Sequence, residues 1–218
     1  MQKYTHILWD FNGTVLDDVR ESVACAERLL RAHGLPALGS TEAYRQAFGF
    51  PIIEYYRRIG FDFSTLSYDA LAVEWVAYYR EETVTPRLYP DVRAALERLR
   101  ERKIPQLILS ATHLRLLEEQ LEQLGIRHYF DELLALDNIH AHSKVERGIA
   151  WRQEHPDARP LLVGDTDHDA ETARAMGIDC ILVTGGHQTR ETLLGAHPLA
   201  VLEDRLAVTE CLLHSEKM

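Results

Sequence analysis

Cysteine and lysine are both scarce in this chain of 218 residues. Its three cysteines, Cys25, Cys180 and Cys211, stand far apart. They match neither a disulfide framework nor the close pairs of a zinc site, and they fit thiols in a reducing compartment. Positive charge is also in short supply: 24 Lys and Arg against 34 Asp and Glu leave a formal net charge of −10. That balance argues against the broad phosphate-tracking face needed to bind nucleic acid. No apolar run approaches the ~20 residues that cross a bilayer. The stretch from Met1 to Trp9 has one lysine and no small-residue cleavage site, so no secretory signal is read there. The expectation is a cytoplasmic monomer or homodimer that binds neither nucleic acid nor membrane and handles a small molecule.

Hydrophobic residues make up 46% of the chain and charged residues 27%, which places it among packed globular proteins. Six short apolar runs read as strands, at 5–9, 107–109, 133–136, 161–163, 180–183 and 199–202. Amphipathic stripes separate them. Val92, Ala95, Leu96 and Leu99 form one; Leu114, Leu117, Leu121 and Leu124 form another, ended by Gly125. Apolar strands alternating with helices predict an α/β fold, a Rossmann-like parallel sheet covered by helices on both faces.

Residues 17–85 break this alternation. They hold a stripe of Val19, Val23, Ala26 and Leu30, a helix opened by Pro51 and running through Tyr55 and Tyr56 to Gly60, and another marked by Leu71, Trp75 and Tyr78. The expected organisation is an α/β core from 1–16 and 86–218, with an all-helical cap inserted at 17–85. The cap aromatics, Tyr44, Phe48, Tyr55, Tyr56, Trp75 and Tyr78, read mostly as packing residues.

In an open parallel sheet, ligands bind beyond the carboxyl ends of the strands. The first strand runs into Asp10-Phe11-Asn12-Gly13-Thr14, and the second into Ser110-Ala111-Thr112. Ser143-Lys144 follows the third, and Gly164-Asp165-Thr166-Asp167-His168-Asp169 follows the fourth. Two acidic clusters facing each other call for a cation, and hard oxygen ligands suit Mg²⁺. A lysine and a hydroxyl beside that ion are what a phosphoryl group needs to have its charge balanced. Of the four lysines, Lys3, Lys103, Lys144 and Lys217, only Lys144 stands where a site is expected. Each residue also has a plainer reading, since Asp and Ser commonly cap helices. His140-Ala141-His142 lacks a third metal ligand and reads as exposed loop, and Gly185-Gly186-His187 reads as a turn.

The four ordered motifs resemble the haloacid dehalogenase superfamily, in its branch of phosphoglycolate-phosphatase-like hydrolases with a helical cap. Leu88-Tyr89-Pro90-Asp91-Val92, Phe48-Gly49 with Pro51, and the run 163–177 share the likeness. The resemblance implies a Mg²⁺-dependent phosphoric monoester hydrolase acting on a small phosphorylated metabolite. Asp10 would be the nucleophile that becomes an aspartyl phosphate. Asp10, the backbone carbonyl of Asn12 and Asp165 would hold Mg²⁺, with Asp169 a direct or indirect partner. Ser110 and the amides of Ala111 and Thr112 would bind phosphoryl oxygens, Gly13 and Thr14 would line the same site, and Lys144 would neutralise nucleophile and phosphate. Arg45 and Phe48 would face the substrate from the cap.

The family pattern has a second aspartate where this chain has Asn12. That aspartate protonates the leaving oxygen and then activates water. An amide donates hydrogen bonds but does not relay protons at neutral pH, so a rate loss of ~10²–10⁴ is expected. On this reading Asn12→Asp raises turnover of alkyl phosphates, and His113 and His168 are the imidazoles considered as substitutes for the missing acid. Residues 17–85 contain no lysine, so cap-based Schiff-base chemistry is excluded. The rival reading is a regulatory protein that binds phosphate esters or is itself phosphorylated on Asp10.

Overall fold

A computed structural model describes residues 4–136 and 144–214. Six parallel strands form one sheet: β1 (His6–Trp9), β2 (Gln106–His113), β3 (Glu132–Leu136), β4 (Pro160–Gly164), β5 (Asp179–Val183) and β6 (Ala200–Leu202). Their order across the sheet is β3-β2-β1-β4-β5-β6, so all six apolar runs became strands of the expected α/β fold. From β1 the chain first builds outward to β2 and β3, then returns to the other side of β1 to place β4. The crevice between the carboxyl ends of β1 and β4 is therefore the switch point where such sheets bind ligands.

The alternation of side chains along each strand divides the core in two. Ile7, Trp9, Ile108, Leu161, Val163, Ile181 and Val183 point to one face. There they meet α5 (Val92–Glu101), α6 (Leu114–Gln123) and α10 (Arg205–His214) through Leu96, Leu99, Leu117, Leu121 and Val208. Leu8, Leu107, Leu109, Leu162, Cys180 and Leu182 point to the other face, against α7 (Lys144–Glu154), α8 (Asp167–Met176) and α9 (Arg190–Gly195). Both predicted stripes hold: Val92, Ala95, Leu96 and Leu99 are buried, and so are Leu117 and Leu121.

Between β1 and α5 stand α1 (Val19–Ala32), α2 (Thr41–Ala47), α3 (Ile52–Arg58) and α4 (Tyr68–Glu82). Ser40 and Ser67 cap α2 and α4 by accepting the backbone N–H of Ala43 and Ala70. These helices share a separate apolar cluster that includes Leu29, Leu30, Tyr44, Tyr55, Tyr56, Phe61 and Leu71. On α4, Trp75 and Tyr78 pack against this cluster, with the Arg28 guanidinium 3.9 Å from the Tyr78 ring centre, while Tyr79 is 4% exposed and donates its hydroxyl to Asp18. The His140-Ala141-His142 run and Ser143 lie outside the described residues.

Cys25 and Cys180 are buried and Cys211 is exposed. Burial pushes the Cys25 thiol up to about 12 and holds Cys180 well above its ordinary range. In the native protein an aromatic disulfide reagent at pH 8 is expected to titrate a single thiol rapidly. All three should react after denaturation, which a stopped-flow absorbance trace reads directly.

Candidate active site

The first acidic loop begins where β1 stops. The Asp10 amide still donates to the carbonyl of Val163 on β4, at 2.8 Å, so the strand pairing carries Asp10 into the switch-point crevice. The chain then turns sharply: the carbonyl of Phe11 accepts from the amides of Val15 and Leu16 at 2.9 and 2.8 Å. Gly13 sits in this turn at φ +71°, where a Cβ would lie 2.2 Å from an Asp165 oxygen and 2.5 Å from the His187 ring. Only glycine fits there.

Arg205, at the head of α10 and nearly two hundred residues away in sequence, clamps the loop. Its buried guanidinium donates to the carbonyls of Gly13 and Thr14, both at 2.8 Å, and lies 3.7 Å from the centre of the Tyr89 ring. Composition and spacing carried no sign of this clamp.

Asp10, Asp165 and Asp169 converge, one carboxylate oxygen from each lying within 4.8 Å of the others, and all three are buried. Lys144, 4% exposed, enters at the start of α7 and donates to Asp10 at 2.7 Å and to Asp169 at 2.5 Å. Burial opposes the lysine charge, yet the two carboxylates outweigh that cost and raise its pKa above the ordinary value. Asp169 divides its work. One oxygen meets Lys144, while the other accepts the Thr166 amide at 3.0 Å and hydroxyl at 2.7 Å, capping α8. Asp169 therefore caps α8 and at the same time pairs with Lys144. Asp165 accepts the Thr14 hydroxyl at 3.0 Å and the His187 amide at 2.7 Å.

The donor set suits a hard divalent cation. Three all-oxygen ligands meet in one buried spot, and Lys144 alone cannot balance them. Burial, together with the neighbouring Asp169 and Asp165, pushes the Asp10 carboxyl well up despite Lys144, and burial likewise raises Asp165 despite His187. A second cation removes that conflict.

Several residues expected to touch substrate are engaged within the protein. The Gly13 amide donates to Asp18 at 2.9 Å, and the Thr14 hydroxyl is held by Asp165. Ser110 is 1% exposed, and its oxygen accepts the Thr112 amide at 3.0 Å, so that amide is used locally rather than aimed at a ligand. Ala111 is exposed on the same strand, β2. Arg45 donates to the carbonyls of Gly186 and Gly185 at 2.8 and 2.9 Å, tying α2 to the loop after β5. Phe48 packs on Tyr55 and His187, with ring centres 5.2 and 5.1 Å apart.

Asn12 is half-buried and its amide is fully engaged by Asp18, Tyr79 and Thr112. Neither substitute imidazole is the one drawn into this network. His113 is exposed and accepts the Arg115 amide, and His168 stacks on Phe50 beside Glu171. The buried imidazole is His187. Its Nε2 lies 3.3 Å from Asp18 and its Nδ1 2.9 Å from the Tyr44 hydroxyl. Burial works against its charge, but Asp18 and Asp165 lift its pKa to about 9. The turn expected at 185–187 is present, with Gly185 at φ +88°. Its histidine, however, points inward, which a local reading of Gly-Gly-His does not reveal.

With this geometry in place, comparison with known proteins assigns the class. Residues 7–183 match the family model described as haloacid dehalogenase-like hydrolase, and the chain belongs to that hydrolase family. Among curated proteins it is 26% identical over 212 residues to a phosphoglycolate phosphatase of Pseudomonas putida, covering 93% of this chain and 77% of that protein. A phosphoglycolate phosphatase of Rhodobacter capsulatus is 27% identical, with 89% and 90% covered. Among solved structures, a haloacid dehalogenase-like hydrolase from Streptococcus pneumoniae superposes with a TM-score of 0.76 at 24% identity, over 96% of this chain and 99% of that one. CbbY from Rhodobacter sphaeroides, solved with phosphate, gives 0.70 at 16% identity, with 94% and 96% covered. These structural likenesses establish the fold.

Two substitutions probe the site. Lys144→Met leaves buried Asp10 and Asp169 without their cation, and should cost about 3–5 kcal/mol of stability in urea unfolding without added metal. Gly13→Ala forces a methyl group into Asp165, and should reduce phosphatase turnover at least tenfold in a steady-state assay while Asp10 and Lys144 are intact.

Proposed function

We propose that the chain is a Mg²⁺-dependent phosphomonoesterase for a small phosphorylated metabolite, with Asp10 as nucleophile. The observation that carries this reading is the buried Asp10–Lys144–Asp169 ion pairing beside Asp165 at the switch point of the sheet. The relatives named phosphoglycolate phosphatases support it and make 2-phosphoglycolate the first metabolite to test. Asp10, Asp165 and Asp169, with the Asn12 carbonyl, would hold the ion, which when bound supplies charge neutralisation for a phosphate ester.

On this proposal the Asp10 carboxylate attacks phosphorus, the ester P–O bond breaks, and an acyl phosphate forms on Asp10. Water then attacks that phosphorus and returns Asp10 and inorganic phosphate. Lys144 neutralises the nucleophile and orients it through its 2.7 Å contact. Ser110, held near the carboxyl end of β2 by its bond with Thr112, receives a phosphoryl oxygen. The segment 17–85 acts as a cap that excludes water, held to the core through Arg45, Tyr44 and Gln188.

Asn12 gives no proton, so the leaving oxygen draws its proton from water. That favours esters whose leaving groups are already stable as anions. Aryl phosphates should therefore be hydrolysed faster than alkyl phosphates. The same amide favours a second reading, in which the Asp10 phosphoenzyme is long-lived and passes its phosphoryl group to an acceptor.

Hydrolysis of p-nitrophenyl phosphate distinguishes the two. Steady release that disappears with Asp10→Ala, and after Mg²⁺ is chelated, is the expected result. A stoichiometric burst that stalls supports phosphoryl transfer, and no release in the presence of Mg²⁺ overturns the hydrolase reading.

A further inference from the structure

The residue that departs from the acidic pattern, Asn12, has a neighbour that carries the carboxylate it lacks. Its Nδ2 donates to Asp18 at 2.8 Å and to the Tyr79 hydroxyl at 2.8 Å, and its Oδ1 accepts the Thr112 hydroxyl at 2.7 Å. An amide nitrogen only donates and an amide oxygen only accepts, so these partners fix which way the side chain faces. Asp18 is 2% exposed and sits before α1. It receives four donors: the Asn12 amide, the Gly13 amide at 2.9 Å, the Tyr79 hydroxyl at 2.6 Å, and His187 at 3.3 Å. That fills the capacity of its two oxygens.

We propose that Asn12 and Asp18 are an exchanged amide–carboxylate pair, in which Asp18 is the positioning residue that orients Asn12 and, through Thr112, the end of β2 that carries Ser110. An Asp at position 12 would bring two carboxylates to hydrogen-bonding distance in a buried site that already holds Asp10, Asp165 and Asp169. One of them must then move or take up a proton. The single change Asn12→Asp, expected from sequence to raise turnover, therefore breaks the pair.

Changing both residues together restores it. With Asn12→Asp and Asp18→Asn combined, the hydrogen bond between the two positions runs the opposite way. Thr112 still finds an acceptor at position 12, and Gly13 and His187 still find one at position 18. Tyr79, from α4, stays at the junction and keeps the segment between β1 and β2 tied to the loop of the nucleophile.

The activity arm of this proposal rests on the phosphatase reading; the stability arm does not. The test compares wild type, Asn12→Ala, Asn12→Asp, Asp18→Asn and the double variant. Thermal unfolding without metal gives one readout, and kcat and KM on p-nitrophenyl phosphate with Mg²⁺ give the other. Asn12→Asp should melt at least about 3 °C below Asn12→Ala, and the double variant should recover most of that loss. In kcat, Asn12→Asp and Asp18→Asn should each fall at least tenfold with KM little changed, while the double variant should return to within threefold of wild type or exceed it. If Asn12→Asp does not fold, the double variant must fold. An Asn12→Asp protein as stable as wild type, or one with raised kcat, overturns the pair, and so does a double variant no better than the worse single change. A melting pattern as expected with no hydrolysis by any protein, wild type included, refutes the phosphatase reading and leaves the pair standing. Hydrolysis abolished by Asp10→Ala, without the melting pattern, does the reverse.

Discussion

The site is organised by an excess of buried negative charge. Asp10, Asp18, Asp165 and Asp169 all lie out of solvent at the carboxyl edge of the central strands, where an unpaired charge is very costly. Each must be matched by a cation or by aimed donors. Lys144 bridges Asp10 and Asp169, His187 stands against Asp18 and sends its amide to Asp165, and hydroxyls of Thr14, Thr166 and Tyr79 fill remaining positions. Oxygens left over at one point among three of these carboxylates make a place for a hard cation.

That requirement reaches into the packing around it. The Asp10 loop stays in register because β1 pairs with β4 up to the last residue and because Arg205 grips the Gly13 and Thr14 carbonyls from α10. The segment between β1 and β2 is likewise drawn onto the site by polar contacts: Arg45 on the Gly185 and Gly186 carbonyls, Tyr44 on His187, and Tyr79 on Asp18 and Asn12. Its own aromatic and aliphatic cluster gives it rigidity, while these few hydrogen bonds set where it sits.

Much of the frame was legible from local pattern. Apolar runs bounded by turn residues marked all six strands, because strands buried on both faces need continuous apolar sequence. Asp10, Ser110, Lys144 and Asp165 were legible because they follow such runs, and an open parallel sheet puts strand ends on one edge. The internal partners of Arg45 and Thr14 were not legible, for a physical reason: a residue type suggests what it binds, but only its neighbours decide whether an internal partner already holds it. Tyr78 packs against the helical cluster as its stripe suggests, whereas nothing in that stripe reveals that the adjacent Tyr79 turns toward Asp18 and Asn12.

The strands along the chain, the acidic loops that follow them and the absence of an acid at position 12 were written in the sequence, since each depends on residues next to one another. The partners of that amide were not. Asp18, Tyr79 and Thr112 come from three separate stretches of chain and meet only when the helices between β1 and β2 fold back onto the sheet. Tertiary structure alone decided that position 12 faces a carboxylate, because hydrogen bonds across such separations are set by packing and carry no period for a sequence to display.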